Sequence, residues 1–279
     1  MQRLVRNSAI TLFTSLLVVG GALYYFNDKN NTEADLNIDE IVVEDEADID
    51  ATRVKGTTQN VYFSTIKENY IYENPEIYPE NLVALIEKNP EILDFVYNYP
   101  TAHLANYDID ISSDVESAMG DVPYFSQFDA RWGYMEYGTG VVGYTGCGPV
   151  ALSMVAVYLT GNLEFSPDYV VRYAIDNDYC IPGNGTAWSL MYEGCEAFGI
   201  SSYELTNSEY AMKNALDNDE PIICLMGPGD FTSEGHFIVL TGYPDEGFYV
   251  NDPYSVTRSN TVWSYDQIEN QINAMWAFY

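Results

Sequence analysis

The stretch that decides the fold reads Tyr144-Thr145-Gly146-Cys147-Gly148-Pro149-Val150-Ala151-Leu152-Ser153-Met154-Val155. Proline is favoured at the first position of a helix, and a glycine before it permits a sharp change of chain direction. The sequence therefore predicts that Cys147 lies at the N-terminus of a buried helix, which ends near Thr160-Gly161-Asn162. The helix dipole and the unpaired N–H groups at that end favour a thiolate.

Residues 121–279, which surround this stretch, predict an α+β domain. Further helices are expected from Ser166, over 188–198 and over 208–217, and the segment 131–143 is expected to be a glycine-rich loop. Strands are then predicted at 221–226, 236–243 and 247–253, with a hairpin turn between the last two. Helices followed by an antiparallel meander are typical of the α+β class.

The N-terminal residues predict export from the cell. Arg3 and Arg6 precede an uncharged apolar run over 8–26, which is just long enough to span a bilayer. The positive-inside rule then places the rest of the chain outside. We expect residues 1–26 to be an uncleaved signal anchor in the cell membrane, with a cleaved signal peptide and a secreted protein as the alternative.

Two segments separate this predicted anchor from the main domain. Residues 27–56 are rich in Asp and Glu, which predicts a disordered spacer. Residues 57–120 predict a small helical subdomain, in which Pro79 opens one helix and Asn89 caps another that starts at Pro90. A segment of this size has little core of its own, so we expect it to pack on the following domain. A propeptide that covers the active site is one alternative for this segment.

The charge and the cysteine content exclude several classes of function. The 42 acidic residues against 11 basic ones give a net charge of −31, which excludes nucleic acid as a partner. None of the cysteines forms a CxxC pair, so we expect neither a metal site nor a cofactor. A disulfide between two of the three cysteines Cys180, Cys195 and Cys224 is one alternative. The apolar neighbours of Cys224 favour a core thiol instead.

A thiol nucleophile needs a base, and the base needs an orienting group. The chain has two histidines, and only His236 lies in the main domain, at the start of a predicted strand. A satisfied core histidine is the alternative. The next strand ends at Asp252, whose carboxylate would fix the tautomer of an imidazole. Asn251 competes for this role, but adjacent residues of a strand point to opposite faces, so only one of them can serve.

The site also needs donors for the oxyanion of an acyl-transfer intermediate. The backbone N–H of Cys147 supplies one at the helix N-terminus. Gln127, which lies 20 residues before the cysteine, is the candidate for a side-chain donor. A surface amide is the alternative for a lone glutamine.

Four short motifs occur in order: Val122-Pro123-Tyr124-Phe125-Ser126-Gln127, Gly146-Cys147-Gly148-Pro149-Val150-Ala151-Leu152-Ser153-Met154, Gly235-His236-Phe237 and Asn251-Asp252-Pro253. Together they closely resemble the C39-like branch of the papain-fold cysteine peptidases, over about residues 121–265. The chain is more similar to the stand-alone, exported members from Gram-positive bacteria than to the peptidases attached to bacteriocin exporters. The resemblance implies a papain-like cysteine peptidase fold. It also implies that Cys147 is the nucleophile, His236 the base, Asp252 the orienting group and Gln127 the oxyanion residue.

From these features we expect an extracellular cysteine peptidase that hydrolyses a peptide or amide bond. A peptide or a cell-wall peptide would be the substrate, and Gly146 and Trp188 would contact it, the latter from a glycine-rich loop; a core tryptophan is the alternative. Two other functions stay open. The same triad would serve an acyl transferase or a peptidoglycan amidase, and an inactive domain would serve as a surface binding module.

Overall fold

A computed structural model describes residues 63–279. The predicted signal anchor at 1–26 and the predicted spacer at 27–56 lie outside the described residues. Within the part that is described, no helix is both long and apolar enough to cross a bilayer. The described residues belong to one compact unit.

The first described segment is helical and packs on the domain that follows. Its helices are α1 over 63–73, α2 Glu80–Ile86, α3 Leu93–Ala102 and α4 Ser112–Ser117. The Asn89 side chain caps a 3-10 turn that leads into α3, and Pro100 lies inside α3 rather than at its end. The Phe95 ring stacks on Tyr134 of the main domain with 4.2 Å between centroids. The apolar core of this segment is therefore continuous with the domain, as its small size predicts.

The main domain begins with short elements around one long helix. Two-residue strands form the hairpins β1 Glu136–Tyr137 with β2 Gly140–Val141 and β3 Cys180–Ile181 with β4 Gly185–Thr186. The helices are α5 Val142–Thr145, α6 Cys147–Thr160, α7 Pro167–Asp176, α8 Ser189–Tyr192 and α9 Glu209–Leu216. The helix predicted over 188–198 is in fact divided into α8 and the 3-10 turn Gly194–Phe198.

Helix α6 contains most of the stretch 144–155, from Cys147 onward. Every residue from Gly148 to Val157 is buried, so the helix is apolar all round and runs through the core. It stops where Gly161 adopts a left-handed φ of 66°, which confirms the predicted end. The predicted start differs by two residues: the helix begins at Cys147, which makes Pro149 its third residue. Proline is tolerated there because N–H groups in the first turn have no intrahelical acceptor.

A five-stranded antiparallel sheet packs against α6. Its strands are β5 Ser202–Glu204, β6 Ile222–Met226, β7 His236–Gly242, β8 Tyr249–Asn251 and β9 Ile272–Phe278, in the spatial order β5-β9-β6-β7-β8. The predicted meander of β6, β7 and β8 is confirmed. Strands β5 and β9 were not predicted, and β9 pairs with β6 in the middle of the sheet. Two short helices, α10 Val256–Ser259 and α11 Tyr265–Ile268, connect β8 to β9.

Both faces of the sheet are buried at its central strand, which explains why β6 is apolar without interruption. Along β6, Ile223 and Leu225 join the core that contains α6. The alternate residues of the same strand join a second core on the opposite face, which also contains Met212 of α9 and Ile268 of α11. The two-residue period of a strand thus divides one apolar run between two cores. The α+β class is confirmed.

The burial of the central strand β6 predicts which substitutions lower the stability of the fold most. Ile223 is fully buried beneath α6, whereas Ile175 of α7 is 41% exposed. We expect Ile223→Ala to lower the free energy of unfolding by about 2–5 kcal/mol, because the lost methyl groups leave a cavity. Ile175→Ala should change it by about 0.5 kcal/mol or less. Urea unfolding of both variants measures the difference, and equal losses would contradict this placement of the core.

Candidate active site

Cys147 is the first residue of α6, and its side chain is half-buried. Two glycines make this position possible by allowing close packing on each side. A Cβ on Gly146 would lie 2.6 Å from a methyl carbon of Val142, and a Cβ on Gly148 would lie 2.7 Å from Thr186. Neither glycine can be replaced without displacing its neighbour. The helix N-terminus is therefore fixed tightly against α5 and β4, and with it the cysteine.

His236 meets this cysteine from the sheet. It is the first residue of β7, the strand that packs on α6, and its side chain is buried. The imidazole of His236 and the backbone N–H of Phe237 lie close enough to the sulfur of Cys147 to lower the pKa of its thiol. The arrangement explains why the imidazole lies at a strand end: there the side chain can reach the N-terminus of the helix that crosses the sheet.

Asp252 holds the other side of the imidazole. It follows β8 directly, it has no solvent exposure, and its Oδ1 accepts a hydrogen bond from His236 Nε2 at 2.6 Å. With Nε2 engaged, Nδ1 is the nitrogen that is left for the thiol. The neighbouring Asn251 points elsewhere, and its amide donates to the carbonyls of Val122 and Pro123 at 3.1 and 3.2 Å. The two residues thus face opposite ways, as the strand period requires.

The three groups polarise one another. Burial alone would raise the pKa of the Cys147 thiol, but the charge and the hydrogen bond of His236 outweigh it and lower the pKa. Burial alone would lower the pKa of His236, but Asp252 and Cys147 outweigh it and raise the pKa to about 10. Burial likewise opposes ionisation of Asp252, but His236 and Arg258 lower its pKa. The arrangement therefore favours a thiolate and an imidazolium at neutral pH.

Gln127 is buried between the residue after Asp252 and helix α5. Only 1% of it is exposed, so the surface-amide alternative is wrong. Its backbone N–H donates to the carbonyl of Pro253 at 2.8 Å, which ties it to the residue after Asp252. Its Nε2 donates to the carbonyl of Gly143 at 2.8 Å, and Gly143 lies in α5, the short helix that precedes α6. Because an amide nitrogen carries two hydrogens, one donor of Nε2 remains available.

The two residues predicted to contact substrate differ in their surroundings. Gly146 is buried, its N–H donates to the carbonyl of Val142, and its carbonyl accepts from Val150. Its visible role is to let the chain turn closely into α6. Trp188 is 51% exposed at the start of α8, with its ring 6.4 Å from that of Trp276, so it is not a core residue. The structure does not place Trp188 in the hydrogen-bonded group around Cys147.

The four cysteines all lie in the described part of the chain, and all are free thiols. Cys195 and Cys224 are buried core residues, and burial raises the pKa of each. Cys180 is half-buried on β3, where burial also raises its pKa. The lowered pKa of Cys147 thus separates it from the three other thiols.

Two groups at the site were not predicted from the sequence. Arg258 Nε donates to Asp252 Oδ2 at 2.5 Å, and the backbone N–H of Tyr254 donates to Asp252 Oδ1 at 2.8 Å. Arg258 is one of few basic residues in an acidic chain and lies six residues after Asp252, but this spacing does not identify the carboxylate that it binds. A backbone donor such as that of Tyr254 leaves no mark in the sequence.

Comparison with known proteins gives a family match. Residues 119–279 match the model of the Peptidase_C39 like family, and this range holds Cys147, His236, Asp252 and Gln127. A search of curated protein sequences finds no significant match.

Two solved structures are similar to the chain. One is a C39-like peptidase from Bacillus anthracis, at 14% identity and a TM-score of 0.40, covering 58% of this chain and 96% of that one. The other is the peptidase domain of Streptococcus ComA, a bifunctional ABC transporter of a quorum-sensing pathway, at 18% identity and a TM-score of 0.38, covering 48% and 90%. With TM-scores below 0.5, neither similarity adds to the family match.

The pKa directions predict a site-specific reactivity. Iodoacetamide should alkylate Cys147 rapidly at pH 6, because its thiolate persists below the pKa of an ordinary thiol, while Cys180 in the same molecule should react only at higher pH. In His236→Ala the rate at Cys147 should follow a pKa of about 8.5 or above. Peptide mass spectrometry resolves the two cysteines. A wild-type Cys147 that reacts with the pH dependence of a free thiol would contradict the ion pair.

Proposed function

The chain belongs to the Peptidase_C39 like family, and from this premise we propose that it is a cysteine peptidase that hydrolyses a peptide or amide bond. The observation that carries the proposal is the hydrogen bond between His236 and Asp252 beside Cys147, the first residue of α6. A thiol with a lowered pKa, an imidazole that can hold its proton and a buried carboxylate are the three parts that nucleophilic catalysis by cysteine needs.

The proposed reaction has two halves. In the first, the Cys147 thiolate attacks the carbonyl carbon and forms a C–S bond, and the carbonyl π electrons move to the oxygen. Collapse of this intermediate breaks the C–N bond, and His236 gives its Nδ1 proton to the departing amine. In the second half, water attacks the thioester while His236 takes its proton. The C–S bond then breaks, which releases the acid and restores the thiolate beside the imidazolium.

Two donors are suited to stabilise the oxyanion. The N–H of Cys147 belongs to the first turn of α6, where N–H groups have no intrahelical acceptor. The free hydrogen on Gln127 Nε2 is the second, and the bond from the same nitrogen to Gly143 keeps the amide from rotating. A buried, fixed donor needs little rearrangement when charge develops on the carbonyl oxygen, which is why such donors contribute strongly to catalysis.

The substrate and the location follow as parts of the same proposal. A peptide or a cell-wall peptide would be cleaved, with Trp188 as a half-exposed aromatic surface and Gly146 beside the nucleophile as contact residues. The basic and apolar N-terminal sequence supports a single-pass anchor in the cell membrane with the peptidase outside. Attack on the same thioester by an amine instead of water would make the protein an acyl transferase.

Substrate profiling and two variants test the proposal. A peptide library and muropeptides, analysed by mass spectrometry, should reveal a cleaved bond, and Cys147→Ala should abolish cleavage. Gln127→Ala should lower kcat by about 10²–10³-fold, as the loss of one oxyanion donor does. It should leave the alkylation of Cys147 at pH 6 unchanged, because Gln127 does not belong to the ion pair. Cleavage that survives in Cys147→Ala rules out the proposed chemistry, and an amine adduct as the sole product indicates a transferase.

A further inference from the structure

A corner of the N-terminal helical segment contacts the main domain next to the active site. The Glu91 carboxylate accepts hydrogen bonds from the Ser255 hydroxyl at 2.6 Å and from the Val256 N–H at 2.7 Å. The Asn89 amide donates to the carbonyl of Tyr254 at 2.6 Å. Three consecutive residues of the main domain are thus held by two polar side chains from a segment more than 160 positions earlier.

The residues that this corner contacts adjoin those that hold Asp252, and Tyr254 belongs to both sets. The N–H of Tyr254 and the guanidinium of Arg258 donate to the two carboxylate oxygens. The hydroxyl of Ser259 accepts the backbone N–H of Asp252 at 2.9 Å. We call residues 254–259 the carboxylate-holding loop. Asn89 and Glu91 contact its outer side, and Asp252 is held on its inner side.

The contacts of Asn89 and Glu91 with the main domain do not contribute equally. Asn89 is buried, its Oδ1 caps the N–H of Glu91, and its Nδ2 makes the contact with Tyr254, so both ends of the amide are used. Glu91 is more exposed, and its hydrogen bonds outweigh burial to lower its pKa. Breaking a buried hydrogen bond leaves an unsatisfied group, whereas an exposed one is replaced by water. We therefore expect Asn89 to contribute more.

Aromatic packing continues the contact to the imidazole. Phe128, which packs against the core of the helical segment, lies 4.9 Å from the Tyr254 ring. The Tyr254 ring in turn meets the His236 imidazole edge-on at 6.0 Å. A displacement of Tyr254 would therefore affect both partners of the hydrogen bond between His236 and Asp252.

We propose that the helical segment positions the catalytic carboxylate, and that Asn89 and Glu91 are the positioning residues through which it acts. The inference rests on the proposed function and goes beyond it. It gives the segment a role opposite to that of a propeptide: the segment would support activity rather than restrain it. The chain would need residues 63–118 to keep Asp252 aligned with His236.

The test compares two amide-to-acid substitutions in the full chain. Asn89→Asp keeps the oxygen that caps Glu91 but removes the donor to Tyr254 and sets a negative charge against that carbonyl. Asn74→Asp is the matched control, because the Asn74 amide donates to a carbonyl at 2.7 Å within the same segment, that of Tyr70, and does not contact the carboxylate-holding loop. Glu91→Gln, with Glu87→Gln as its control on an exposed glutamate, provides a milder second pair.

We expect Asn89→Asp to lower kcat by about tenfold with KM unchanged, and Glu91→Gln to lower it less. Both should slow the alkylation of Cys147 by iodoacetamide at pH 6, where the rate reports the ion pair, and leave the rate at pH 9 almost unchanged. Asn74→Asp and Glu87→Gln should match the wild type. A purely structural role would lower the melting temperature without changing the pH dependence of alkylation.

The inference is overturned if Asn89→Asp and Glu91→Gln keep the wild-type kcat and pH profile, or if either one is more active. The proposed function can fail separately. A wild-type protein that cleaves no peptide, but whose alkylation profile still changes in Asn89→Asp, would refute the peptidase proposal and support the positioning role. A Cys147 that reacts like a free thiol in every variant would refute both.

Discussion

Asp252 carries a charge at a position without solvent exposure, and the rest of the site depends on how that charge is satisfied. An unpaired buried charge is unstable, and breaking a buried ion pair costs about 3–5 kcal/mol. Here His236 and Arg258 each approach one carboxylate oxygen, at 2.6 and 2.5 Å. A backbone N–H completes the shell. The carboxylate therefore has one favourable position, and it fixes the imidazole that faces the thiol.

The fold brings the donors together from separate parts of the chain. The thiol comes from a helix N-terminus, the imidazole from the start of β7 and the carboxylate from the residue after β8. Because β7 and β8 are antiparallel, these two positions lie at the same end of the sheet. The helical segment adds Asn89 and Glu91 from outside this domain. The positions of the side chains around Cys147 thus depend on the whole compact unit, since each side chain is held by a residue that is distant in sequence.

Local sequence signals allowed much of this to be predicted. Gly161 ends α6 and the turn over 244–247 closes a hairpin, and both could be predicted because they depend on nearby residues. Strand β9 was missed, since its buried part over 275–278 is apolar on both faces and shows no alternating pattern. The roles of Asn89 and Arg258 also could not be predicted. A capping asparagine has the same local signature whether or not its amide contacts another domain, and an arginine does not identify its carboxylate in the sequence.

The protonation of His236 tests the central claim most directly. The chain has only two histidines, so ¹⁵N NMR of the imidazoles, assigned with His103→Gln, follows His236 without overlap. The account predicts that both ring nitrogens stay protonated through neutral pH and lose a proton only toward pH 10, and that Cys147→Ala lowers this pKa because the thiolate is gone. A His236 that titrates near its ordinary pKa of about 6.5, unaffected by removal of the thiol, would contradict it.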